Sequence, residues 1–66
     1  MYITKLCAQL FPNGGEAYTY GYLRDYLESA FGLSARQVAG VIGAGVRYGF
    51  IYLANRNKDN ESIFVR

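Results

Sequence analysis

Gly32-Leu33-Ser34 constrains this chain most, because it leaves a turn of only about three residues between two amphipathic runs. Before it, Leu23, Tyr26, Leu27, Ala30 and Phe31 fall at i, i+3, i+4, i+7 and i+8, with Arg24, Asp25, Glu28 and Ser29 facing away. That is the apolar stripe of a helix, which Thr19 can cap at its start and Gly32 stops. After the turn, Ser34 and Gln37 make a Ser-x-x-Gln capping box, and Val38, Val41, Ile42, Val46 and Gly49 continue on one face of a further helix. Two capped helices joined this tightly form a helix-turn-helix.

The flanks complete the order. Tyr2, Ile3, Leu6, Cys7, Leu10 and Phe11 have helical spacing and predict an amphipathic first helix, which Pro12-Asn13-Gly14-Gly15 ends. Glu16-Ala17-Tyr18 reads as a short extended piece. Gly49 suits the C-terminal cap of the third helix, and Phe50-Ile51-Tyr52-Leu53-Ala54 is rich in strand formers. A flexible polar loop, Asn55 to Asn60, then leads to a second strand, Ser62-Ile63-Phe64-Val65.

The chain of 66 residues is expected to form one domain over 1–66, with hydrophobic residues at 52%, too apolar for a disordered segment. Seven Lys and Arg against five Asp and Glu give a net charge of +2, which permits a nucleic-acid partner without requiring one. Cys7 is the only cysteine and His is absent. An intramolecular disulfide is therefore impossible, a Cys/His zinc site has no ligands, and no metal or cofactor is expected. Nucleophile–base pairs are missing too, so neither an enzyme nor a small-molecule substrate is expected. No apolar run approaches the ~20 residues that span a bilayer, and Met1 to Lys5 do not build a signal peptide. A soluble, cytoplasmic protein with a buried, inert Cys7 is the expectation.

Ser34-Ala35-Arg36-Gln37-Val38-Ala39-Gly40-Val41-Ile42, followed by Val46-Arg47-Tyr48-Gly49-Phe50-Ile51, resembles the winged helix-turn-helix pattern of a capped recognition helix entering a wing through glycine and two apolar residues. The element order resembles that superfamily over essentially the whole chain. The resemblance implies an α+β fold, a winged helix-turn-helix of three helices with a short strand and a C-terminal β-hairpin wing. It implies binding to DNA, RNA or protein, and chooses weakly among them.

At 100° per residue on the third helix, Val38, Ile42, Gly45 and Gly49 face the core, and Arg36, Gly40, Gly43 and Arg47 face outward with Ala39 and Ala44 beside them. The two arginines stand ~16 Å apart along the axis, bracketing a nearly bare backbone. Two readings stand. The strip admits a partner close to the backbone while the arginines grip it, or the glycines serve close helix packing at Gly45 and a kinked or frayed helix elsewhere. Arg36, Gln37 and Arg47 are the only outward side chains suited to base reading, which weakens sequence-specific recognition and leaves phosphate and shape recognition. Ser34 marks a helix N-terminus that either binds an anion or is simply capped.

By resemblance, Arg56 and Lys58 in the wing would reach a minor groove or flanking phosphates, with solvated loop charge as the alternative, and Arg66 lies at the far end of the hairpin. Tyr26 and largely Tyr2 fit the core, whereas Tyr18, Tyr20, Tyr22, Tyr48 and Tyr52 are expected to be partly exposed, and Tyr20 joins the candidate contact residues. The leading expectation is a small homodimeric transcriptional regulator on duplex DNA. The alternative is a phage-type inhibitor or adaptor that covers a host protein with the Gly/Ala strip and tyrosines.

Overall fold

Thr19 holds an extended backbone, and its hydroxyl accepts the Tyr22 N–H at 3.1 Å, starting α2 (Tyr20–Phe31) in a computed structural model that describes residues 1–66. Gly32 ends that helix in the left-handed region, with φ 65 and ψ 29. Two residues on, the capping box forms in both directions. Ser34 Oγ accepts the Gln37 N–H at 3.2 Å, and Gln37 Oε1 accepts the Ser34 N–H at 2.9 Å, so α3 (Ala35–Arg47) begins where the sequence places it. α1 (Tyr2–Leu10) precedes these, and β1 (Ala17–Thr19) lies between α1 and α2.

The exit from α3 differs from expectation. Tyr48 is the C-cap, and Gly49, one residue beyond, is exposed with φ 78 rather than turned to the core. Its left-handed backbone explains the glycine. The Gly45 carbonyl then accepts the Phe50 N–H at 2.8 Å and the Ile51 N–H at 3.3 Å. Those bonds hold Phe50 and Ile51 in the reversal, where Ile51 is fully buried. The strand therefore starts later, at β2 (Tyr52–Arg56), and runs two residues past Ala54.

β3 (Ser62–Val65) is the centre of an antiparallel sheet of order β1-β3-β2. Tyr18 and Leu53 both pair with Phe64, and a bulge between Leu53 and Asn55 resets the register so that Asn55 pairs with Ile63 and Arg56 with Ser62. Phe64 is buried in the core, so alternation puts Ser62 and its partner Arg56 on the helix-bearing face of the sheet, and Tyr52 and Val65 on the other.

The core joins Ile3, Leu6, Cys7 and Leu10 of α1 to Phe11, Leu23, Leu27, Leu33, Val38, Ile42, Ile51 and Phe64. Val46 is 40% exposed and Ala30 is exposed, so neither continues its helix's buried stripe, and Glu28 is half-buried rather than turned fully outward. On α3 that stripe is narrow: Val38, Ile42 and Gly45. Tyr2 is also 44% exposed, resting on Phe31 with ring centroids 5.2 Å apart. Three helices packed on a three-stranded antiparallel sheet make an α+β fold, in an arrangement compatible with a winged helix.

Candidate functional site

The three glycines of α3 divide by what surrounds them. A Cβ on Gly45 would lie 2.6 Å from Ile3 Cδ1, 2.9 Å from Ile3 Cγ1 and 3.3 Å from Ile51 Cγ1, so this glycine lets α1 approach α3. A Cβ on Gly40 or Gly43 would meet nothing within 4 Å. Both are exposed, as are Arg36, Ala39 and Arg47, whereas Ala44 is half-buried. The outward strip thus lies where the helical wheel puts it, and packing within the domain accounts for Gly45 alone.

Charge is sorted along the chain in a way that the net value of +2 conceals. No Asp or Glu occurs between Ser29 and Lys58, a stretch that contains all of α3 and β2 together with Arg36, Arg47, Arg56 and Lys58. The one ion pair in the structure is elsewhere, Arg24 to Asp25 at 3.2 Å. All four cations of the acid-free stretch are exposed and make no ion pair. A count of charges by segment finds this signal in the sequence; the whole-chain balance hides it.

Ser34 and Gln37 are engaged with each other. The Ser34 hydroxyl acts as the cap, and the Gln37 side-chain oxygen is folded back onto the Ser34 N–H. Tyr20 is likewise occupied: half-buried at the start of α2, it packs against the core with its ring 6.4 Å from that of Phe64. The more exposed rings are Tyr22 at 52%, stacked on Tyr18 at 4.7 Å, Tyr48 at 66% and Tyr52 at 55%.

Arg56 belongs to the end of β2 and not to the loop. The connection itself is a hydrogen-bonded turn. Asn57 Oδ1 accepts the N–H groups of Asp59 at 3.0 Å and Glu61 at 2.9 Å, and the Asn57 backbone bonds to both Glu61 and Asn60. Asn60 closes it with φ 64, a conformation that asparagine tolerates better than most residues. Lys58 is exposed at the tip next to Asp59, whereas the Glu61 carboxylate accepts from Asn57 Nδ2 at 3.3 Å and lies near Gly21 at the start of α2.

Comparison with family models, with curated proteins and with solved structures finds no match for this chain. No helix is long and apolar enough to cross a membrane. The residues themselves are therefore what defines the surface.

Along its other edge the α3 strip borders a groove of 380 Å³, lined by Gln37, Gly40, Val41 and Ala44 on one side and by Met1, Tyr2, Ile3 and Leu33 on the other. Its α1 wall was not legible in the sequence, where Tyr2 and Ile3 read as core. Cys7 is buried, and burial pushes its thiol pKa up while Arg66 pulls it down by a smaller amount. A thiol held neutral and covered reacts slowly. Native protein mixed with a thiol-reactive dye at pH 8 should stay unlabelled over minutes and label fully in denaturant; rapid native labelling would show that α1 does not pack as described.

Proposed function

We propose that this chain is a winged helix-turn-helix module that binds duplex DNA through α3 and the adjoining hairpin, in the cytoplasm and without catalysing a reaction. The observation that carries this reading is the acid-free stretch from Ser29 to Lys58, with Arg36, Arg47, Arg56 and Lys58 exposed and unpaired. Cations without internal partners neutralise phosphates, and the release of condensed counterions drives the association. Charge also limits how two copies can meet. An antiparallel contact between α3 helices centred between Val41 and Ile42 sets each Arg36 against an Arg47, so a homodimer would form through another surface and leave α3 free.

A fluorescein-labelled duplex titrated with the protein tests the reading. Arg36→Ala and Arg47→Ala should each weaken binding by about fivefold to tenfold at 0.1 M salt and reduce the slope of log affinity against log salt by about 1. Their melting temperatures should stay unchanged, because both side chains are exposed and unpaired. Unchanged affinity in both variants would remove α3 from the interface.

The groove beside Gly40 and Ala44 favours a second reading, a protein-binding adaptor or inhibitor whose partner places an apolar side chain between α1 and α3. Salt separates the two. Affinity for a partner seated in an apolar groove changes little between 50 and 200 mM salt, whereas a phosphate-bound complex weakens steeply.

A further inference from the structure

We infer that the module holds the phosphate backbone of duplex DNA without reading base sequence, and so acts as a general DNA-coating or architectural component rather than an operator-specific regulator. This rests on the duplex-binding reading above. Sequence is read in the major groove by side chains that present a paired donor and acceptor or a guanidinium fork to base edges. α3 offers few. At its middle, Gly40 and Gly43 have no side chain, and the space where a Cβ would stand is empty for 4 Å. Ala39 beside them carries only a methyl group.

Gln37 is the one outward amide, and adenine recognition needs its oxygen to accept from N6 while its nitrogen donates to N7. That oxygen is turned back onto the Ser34 N–H at 2.9 Å in the capping box. Arg36 and Arg47 remain, at opposite ends of the helix and ~16 Å apart, so they cannot read neighbouring base pairs together and leave the base pairs between them without a contacting side chain. The bare centre brings the helix backbone close to the duplex and lets both guanidinium groups reach phosphates.

The hairpin agrees. Its tip sets the exposed Asp59 next to Lys58, and a carboxylate there disfavours insertion into the minor groove, where the negative potential is strongest. Arg56 is exposed, and its register with Ser62 puts it on the sheet face that carries the helices, from which it would meet phosphates. Of the two contacts the resemblance implies for the wing, a minor groove or flanking phosphates, this favours the phosphates.

The test uses the whole chain and labelled duplexes of about 20 base pairs, in two unrelated sequences of equal base composition, together with selection from a randomised duplex pool. Four phosphate contacts predict a log–log salt slope of about −3.6, hence a loss of about 150-fold between 50 and 200 mM salt. The two duplexes should bind within threefold of each other, and selection should enrich no motif. A preference of 100-fold, or an enriched motif with guanines at fixed spacing, overturns the inference and leaves duplex binding standing. A slope near zero on duplexes that bind also overturns it, since the grip would not be on phosphates. No binding to either duplex at 50 mM salt removes the duplex-binding reading itself, and the inference with it.

Discussion

Gly45→Leu should leave the chain without a cooperative unfolding transition. The first added carbon would already lie 2.6 and 2.9 Å from Ile3 atoms and 3.3 Å from Ile51, and leucine adds three more beyond it. Ile3 and Ile51 are 2% and 0% exposed, so neither can swing into solvent to make room. Overpacking a tight core commonly costs about 1–3 kcal/mol and more when backbones must separate, against the roughly 3–5 kcal/mol that a domain of this size holds in total. Gly45→Ala is the milder probe, where a gain in helix propensity of about 1 kcal/mol opposes a smaller clash. Melting followed by circular dichroism decides the matter, and the double variant Ile3→Ala with Gly45→Leu should recover a transition because the deleted atoms are those in the way. A Gly45→Leu protein that melts like the parent would mean that α1 and α3 do not meet there.

Local chemistry made most of the fold legible in the sequence. Thr19, Gly32, Ser34 and Gln37 fix helix ends through bonds and dihedrals within a few residues of themselves, so their identities suffice. The α3–β2 junction resisted for the opposite reason. Phe50 and Ile51 have strand propensity, yet the Gly45 carbonyl behind them holds both in a turn, and Ile51 is drawn under α3 as core. The bulge at Leu53 to Asn55 carries the strand on to Arg56, which residue preferences do not encode. At the site, the outward strip followed from helical geometry, because a wheel needs only spacing. Gln37's engagement required knowing which of its two roles, cap or contact, its one side chain fulfils. The groove needed the distance between α1 and α3, which Gly45 sets.

Gly40→Leu combined with Gly43→Leu should give a protein that is more stable than the parent and inactive in binding. Each glycine in a helix interior costs close to 1 kcal/mol relative to alanine, and leucine recovers most of it, so the pair should add roughly 1.5 kcal/mol and raise the melting temperature by about 5–10 °C. Nothing in the domain opposes the change, since both Cβ positions are open for 4 Å. The leucine at position 40 also lies along the groove walled by Met1 and Tyr2, where it can bury apolar surface. Binding responds to the same atoms with the opposite sign. Two branched side chains between Arg36 and Arg47 hold the duplex away from the helix backbone, and the guanidinium groups lose their phosphates together, so affinity should fall at least tenfold beyond the loss from either arginine variant. Gly43→Leu alone separates the contributions, because it lies outside the groove and changes only the outward strip. If the double variant binds duplex DNA like the parent, the strip does not face the DNA, and the four cations act from the flanks of α3 and the hairpin. If it unfolds instead, Gly40 and Gly43 pack inside the domain and the strip does not face outward.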